Sequence, residues 1–432
     1  MKSALLRAAA SAVMMTALHS LCSAQAGDVV QAKKAPNIVV IMLDDVSDDI
    51  DFMHRTMSAA RSGTRYVNSF VEFPLCGPSR ATFLTGQEAR YHGVRWDESG
   101  GLEPVGLVPQ ALQEAGYRTA LFGKKPKPTK GRMEQLGFDH SFVLGQGDGR
   151  YFDPLMEVDG RKRRFHGYTV DLVYRWALRF STRTDRPYFA WIASPSAHAP
   201  AIPERRHEGS CLFEPFDPGP AFNEADVADK PSFMRQVALL TQSELDGIRI
   251  RFNSKCDVLQ TDDDWIPKLV RLAGPDTCVF LTADNGFMLG QHRVTGKLLL
   301  YEESIRVPLI MWGCGAEKGR IEKRLVSNTD LPATILELAG ARPGRPLDGR
   351  SLFAPARSEV RLMGRWGENE TSGTGKGFSY GIRQKDWVYV RHDNGERELY
   401  SIEDDAAQER NLAYDGKYAE RRRRLERLLD TN

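Results

Sequence analysis

Beyond its first 26 residues the 432-residue chain has no apolar run approaching the roughly 18 residues that a membrane-spanning helix needs. It has no internal repeat and no low-complexity tract, so solenoid and linker-like architectures are excluded. Neither sign of charge is in excess: 59 Lys and Arg stand against 57 Asp and Glu, a formal net charge of +2. Whole-molecule charge therefore does not argue for a nucleic-acid partner. Cysteine is scarce. Six are present, one of them (Cys22) within the first 26 residues. The remaining five, Cys76, Cys211, Cys256, Cys278 and Cys314, are odd in number, so at least one must stay unpaired in an oxidising compartment. The other four allow up to two disulfides in three connectivities, or none.

What is present is ordinary for a soluble globular protein, 41% hydrophobic and 27% charged. The length allows one large α/β domain and a smaller appendage. The start reads as a signal peptide over 1–26. Lys2 and Arg7 are followed by the short apolar stretch 8–18, and Ala24-Gln25-Ala26 gives a small-x-small cleavage site. An uncleaved anchor is the other way to use such a stretch. A lipid attachment site at Cys22 fits less well, because His19 and Leu21 are poor companions for it. The expected location is periplasmic or secreted.

Asn37 to Leu43 (NIVVIML) is a continuous apolar run rich in β-branched residues, and it reads as a buried parallel strand ending in Asp44-Asp45. Further strands are expected at 118–122, 188–193, 278–283 and 307–311, with helices at 105–116, 170–180, 233–260 and 331–338. The run 278–283 ends in Asp284-Asn285. Strands alternating with helices imply a mostly parallel sheet covered on both faces. After about residue 345 the pattern changes to short antiparallel strands at 360–366, 378–383, 387–391 and 398–401. A turn at Asp393-Asn394-Gly395 and a terminal helix over 415–430 complete this part. The implied division is 35–345 for the α/β domain and 346–432 for a C-terminal subdomain.

Two acidic pairs at the carboxyl ends of two buried strands lie where open α/β sheets place their sites. Asp44, Asp45, Asp284 and Asn285 offer only oxygen ligands, which favours a hard cation, Ca²⁺ over Mg²⁺, and disfavours zinc. Acidic residues after strands also serve as helix caps, and that reading competes for either pair alone. The segment Leu75-Cys76-Gly77-Pro78-Ser79-Arg80, continuing to Leu84-Thr85-Gly86, is the most specific feature. Pro78 is suited to a first helical turn, which puts Cys76 beside a helix N-terminus. From the residues alone, Cys76 is either a thiolate nucleophile or a buried structural cysteine.

Cys76-x-Pro78-Ser79-Arg80 with Leu84-Thr85-Gly86 resembles the signature of the formylglycine-dependent type I sulfatases, within the alkaline phosphatase superfamily. The resemblance extends over Asn37 to Asp45, Gly116 to Lys124, Ala197-His198-Ala199-Pro200, Asp284-Asn285-Gly286, Gly296-Lys297 and Tyr301 to Ile310. It implies an alkaline-phosphatase-like α/β sandwich with a mostly parallel central sheet and a small C-terminal antiparallel subdomain. It implies conversion of Cys76 to formylglycine by a dedicated maturation machinery. The hydrated aldehyde would attack sulfur through one hydroxyl and release sulfate through the other. Asp44, Asp45, Asp284 and Asn285, completed by position 76, match the ligands of a divalent cation. Arg80 matches the residue that steadies the modified side chain. Lys124 and Lys297 match lysines that hold sulfate oxygens, and His198 and Lys297 match the proton donors to the leaving alcohol.

One departure stands out. Many sulfatases carry Gly-Lys-x-His where this chain has Gly123-Lys124-Lys125-Pro126-Lys127-Pro128. Pro126 cannot take the proton that the histidine takes in sulfate release. Lys125, Lys127, His92 and residues of the 140s are the candidates to stand in. The basic run Arg161-Lys162-Arg163-Arg164 is either a solvated loop or a rim for a polyanionic glycan. Phe222 to Pro231 is similar to a segment of sulfatases acting on N-acetylglucosamine 6-sulfate. Trp96, His166 and His207 are further pocket candidates. The expected substrate is a sulfated small molecule or glycan. The alternatives are a phosphate or phosphonate hydrolase of the same superfamily and a binding protein that has lost turnover.

Overall fold

The computed structural model describes residues 35–97, 101–127, 132–145, 150–183, 186–366 and 377–431. The expected signal peptide over 1–26, Cys22 and Pro128 lie outside these residues.

The apolar run Asn37–Leu43 (β1) is the middle of the molecule because every side chain after Asn37 is buried. It is flanked on both sides by parallel strands, Tyr188–Ala193 (β7) and Thr277–Ala283 (β8). The rest of the large sheet comprises Thr64–Tyr66 (β2), Arg118–Gly123 (β3), His140–Leu144 (β4), Leu155–Val158 (β5), Arg161–Arg164 (β6), Leu309–Trp312 (β9) and Arg320–Glu322 (β10). The ten strands run in the order β10-β2-β9-β8-β1-β7-β3-β4-β5-β6. The five strands from β8 to β4 are parallel, as buried β-branched runs predict. β9 is antiparallel to β8, and β5 and β6 close the other edge as antiparallel strands. The run 161–164 is therefore an exposed edge strand and not a loop.

Five helices matter to the argument: Cys76–Thr85 (α1), Thr169–Ser181 (α2), Gln242–Ala273 (α3), Asp330–Ala339 (α4) and Ala419–Asp430 (α5). The expected helix over 233–260 is displaced. A one-turn helix covers Ser232–Arg235, and α3 starts only at Gln242, where Thr241 and Glu244 form a capping box. It then continues past the acidic run Asp262-Asp263-Asp264. Asp263 is satisfied there because it accepts from the backbone N–H groups of Arg55 at 3.0 Å and Thr56 at 2.6 Å, at the start of another helix.

Glu359–Trp366 (β11), Gly377–Gln384 (β12), Trp387–His392 (β13) and Arg397–Ser401 (β14) form the expected antiparallel meander. One face joins the main core through Val360, Leu362, Val388, Val390 and Tyr400. The other packs Ile382, Tyr389 and Leu399 against Leu425 of α5. Two disulfides settle the cysteine connectivity. Cys211–Cys256 ties a surface segment to α3, and Cys278–Cys314 ties β8 to the turn after β9. Cys76 is the one free cysteine among the described residues.

Candidate active site

The register of β1 on β8 pairs Leu43 with Ala283, so the two acidic pairs leave the sheet side by side. Asp284 N–H bonds Leu43 C=O at 3.0 Å, and Asp45 N–H reaches Asp284 Oδ1 at 3.2 Å. Asp45 sits at φ 61°, in the left-handed region that non-glycine residues rarely occupy. Such strain persists only where surrounding contacts over-determine it, and it clusters at functional sites. On the other flank, Asp44 N–H bonds Ser196 C=O and Ala197 N–H bonds Asp44 C=O, both at 2.7 Å. These bonds tie the loop carrying His198 to the same strand end.

The first residue of α1 is Cys76 itself, and Pro78 falls in the first turn where its missing N–H costs nothing. The Cys76 Sγ lies 3.4 Å from Asp44 Oδ1, 3.9 Å from Asp45 Oδ1 and 2.9 Å from Lys297 Nζ. One turn further along α1, Arg80 has no exposed surface. Its Nε donates to Asp284 Oδ2 at 2.9 Å, and Nη2 lies 2.8 Å from the same oxygen and 3.5 Å from Asp44 Oδ2. Lys124 follows β3 and places Nζ 2.6 Å from Asp44 Oδ2. Gly123 makes this possible: at φ 99°, any Cβ there would meet Ala193 O at 2.0 Å. Lys297 Nζ is also 2.5 Å from Asp45 Oδ1. His198 offers a ring nitrogen to the same centre as Asp44 and Cys76.

Asp44, Asp45, Cys76, Arg80, Lys124 and Asp284 are thus brought to one buried cluster, with the partly buried Lys297 and His198 beside it. Burial alone would raise all three carboxyls. Lys124, Arg80 and His198 overcome this for Asp44, and Lys297 leads the same effect for Asp45, so both are held below the usual range. Asp284 remains raised by burial and by its neighbour Asp44. The Cys76 thiol is pushed well up by burial and by Asp284. A reactive cysteine needs a depressed pKa, so the unmodified residue is a poor thiolate.

The cluster passes a test for a hard cation. Atoms of Asp44, Asp45, Cys76 and Asp284 all lie within 4.8 Å of one another, the span reached by ligands on one centre at about 2.4 Å, the Ca²⁺–oxygen distance. Asn285 Nδ2 donates to Asp45 Oδ1 at 2.7 Å, while its Oδ1 is buried with no hydrogen-bond donor among the described residues. A buried amide oxygen left without a partner is costly unless something else meets it.

Three contributors had no signal in the sequence pattern. Asp97 Oδ1 accepts from Gly77 N–H at 2.6 Å and so caps the helix that carries Cys76. Tyr151 OH donates to the carbonyls of Pro195 at 2.9 Å and His198 at 2.7 Å, fixing the histidine loop. Lys255 of α3 donates to Asp45 O at 2.7 Å, and burial lowers its pKa to about 8.

Several other candidates are held by partners of their own. Lys125 is tied to Glu157 Oε2 at 2.7 Å, and His92 is held by Thr82 Oγ1 and Val94 N–H, both at 3.1 Å. Arg161–Arg164 lie on the outermost strand of the sheet. His166 is exposed beside Asp153, and His207 is buried against Asp264. Trp96 packs beside Leu75, Leu298 and Phe378, next to the centre. Phe222 to Pro231 braces the loop before Lys297, through Glu224 to His292 at 2.6 Å.

The sulfatase family model matches residues 36–341. The chain belongs to the sulfatase family. A second family model, the C-terminal part of N-sulphoglucosamine sulphohydrolase, matches residues 290–432 of this sulfatase-family chain. Human N-acetylglucosamine-6-sulfatase is 28% identical over 82% of this chain and 72% of its own length. A Caenorhabditis elegans chain named for its likeness to an extracellular sulfatase, Sulf-1, is 28% identical over 73% of this chain. The present chain spans 48% of that relative. A solved structure of a protein in complex with its substrate D-glucosamine-2-N,6-O-disulfate superposes with a TM-score of 0.80 at 24% identity, covering 92% of this chain and 97% of its own. That likeness carries the fold. Among the described residues no helix is long and apolar enough to cross a membrane.

Proposed function

We propose that the protein hydrolyses a sulfate ester, most readily one borne by a carbohydrate, with residue 76 matured from cysteine to formylglycine. The observation that carries the proposal is the convergence of three buried carboxylates, the donor-less Asn285 Oδ1, and the cations of Arg80, Lys124 and Lys297 on one buried cysteine.

Asp44, Asp45, Asp284 and Asn285, with position 76, would hold a divalent cation, and their all-oxygen chemistry favours calcium over magnesium or zinc. Bound there, the cation and the modified residue would supply a nucleophilic oxygen at position 76. Arg80 lies against Asp284 and Asp44, so its part is to orient these carboxylates and to balance their charge. Lys124 and Lys297 hold sulfate oxygens, where charge concentrates as the ester bond breaks. Lys297 and His198 are the proton donors to the departing alcohol. The carbohydrate preference is supported by relatives named for N-acetylglucosamine 6-sulfate. The 35–345 part carries this chemistry, and 346–432 supports it from the C-terminal side. Maturation requires the formylglycine-generating machinery, and the mature enzyme works in the periplasm or outside the cell.

Peptide mass spectrometry of residue 76 from the native host is the test, paired with rates on an aryl sulfate and the matching aryl phosphate. Formylglycine at 76 and faster sulfate turnover are expected. An unmodified thiol in active protein overturns the mechanism, and faster phosphate turnover overturns the substrate class. Metal analysis of the active protein should find calcium. Zinc in its place contradicts the ligand assignment.

A further inference from the structure

A cleft of about 300 Å³ opens from Asp45 between the loop 197–201 and the N-terminal half of α3. Its loop wall is made of small side chains, Ala197, Ala199 and Ala201. Its helix wall is cationic. Arg251 and Lys255 are four residues apart, hence on one face and about 6 Å apart along the axis. Both sit over the ring of Phe287, Lys255 at 4.0 Å and Arg251 at 5.9 Å from its centre. Lys255 is anchored at the inner end by its bond to Asp45 O. Arg251 stands at the outer end, exposed, and no described carboxylate pairs with it. Ser254 adds a hydroxyl between them.

We propose that Arg251, with Lys255 behind it, forms a subsite for a second anionic group of the substrate, a sulfate or carboxylate about one sugar substituent away from the scissile ester. The inference rests on the sulfatase reading of the centre and specifies its substrate class: saccharides with more than one negative charge. A guanidinium presents a planar fork of donors that matches either anion. The small opposing wall leaves room for it. The strongly basic run at 161–164, which the sequence offers for this role, lies on the outer edge of the sheet, so the work falls to two cations that stand apart in the sequence from any basic cluster.

The test uses 4-nitrophenyl sulfate, which has no second anion, as reporter for the matured enzyme. D-glucosamine-2-N,6-O-disulfate, N-acetylglucosamine 6-sulfate and a 6-sulfated glucosamine linked to a uronic acid are measured as competitors, and calorimetry reads their binding independently of turnover. A dianionic sugar should bind about tenfold tighter than the monosulfate, as expected for one charge-assisted contact. Preference for the disulfate identifies sulfate as the second group, and preference for the uronic acid conjugate identifies carboxylate. Arg251→Gln should erase the preference and leave reporter turnover within about twofold, while Arg251→Lys keeps part of it. Equal binding of mono- and dianionic sugars, or a preference that survives Arg251→Gln, overturns the subsite. Failure of the matured enzyme to cleave any sulfate ester sinks the sulfatase reading instead, and the calorimetric comparison still decides the subsite.

Discussion

At the ends of β1 and β8 three buried carboxylates face Arg80, Lys124 and Lys297, and Asn285 Oδ1 is left without a donor. Under the C-terminal sheet, Glu398 is equally buried, yet both its oxygens are met. His392 lies 2.8 Å from Oε1, and Tyr301 and Tyr400 donate to Oε2 at 2.8 and 2.5 Å. His392 closes the network on Ser379 Oγ at 2.8 Å. The second cluster is a joint: it is complete from the chain's own groups and fastens β12, β13 and β14 to Tyr301, four residues from Lys297. The first has acceptor capacity to spare. A fully satisfied buried network gives rigidity, and an incompletely satisfied one marks a place where something else binds.

Substitutions can break this contrast, beginning with the largest expected effect. Cys76→Ala should cost at least about 10⁴ in kcat, as loss of a nucleophile does, with the melting temperature nearly unchanged by calorimetry. A Cys76→Ala preparation that retains a tenth of the activity would merge the two clusters into one structural class. Arg80→Met strands Asp284 and Asp44 and should destabilise the protein by about 3–5 kcal/mol in chelator. Added calcium should restore part of this, because the cation meets the same carboxylates. Glu398→Gln in the joint should cost about 1–3 kcal/mol by denaturant titration, insensitive to calcium, with kcat within about threefold. Tyr151→Phe sharpens the contrast on the site's margin. It removes the donor to Pro195 O and His198 O and should cost about 1 kcal/mol of stability. Its mark is a lowered kcat with little change in KM, since the His198 loop loosens while the sulfate-holding lysines remain.

Much of this was legible in the sequence, for particular reasons. The runs 37–43 and 278–283 announce central parallel strands because both faces must be apolar. Adjacency of the strand ends then makes neighbours of acids 240 residues apart. The meander over 359–401 was legible from alternation and from its Asp393-Asn394-Gly395 turn. The start of α3 was not, because an apolar pattern upstream of Thr241 outweighed a capping box that fixes the boundary. The edge strand at 161–164 was hidden by its charge, which on an exposed edge discourages further pairing. Asp97, Tyr151 and Lys255 act through contacts to distant backbone atoms. No local periodicity records such a contact, so only the assembled fold displays it.

The pairing of Cys211 with Cys256 and of Cys278 with Cys314 has an analytical consequence. With four sulfurs locked away, residue 76 is the sole source of a thiol between 35 and 431. Unfolding the processed protein without reductant and titrating it with a thiol reagent therefore counts molecules that escaped maturation. A stoichiometry of one describes an untouched batch, and a stoichiometry of zero a fully converted one. Specific activity plotted against that number should fall on a straight line reaching zero at one thiol per chain.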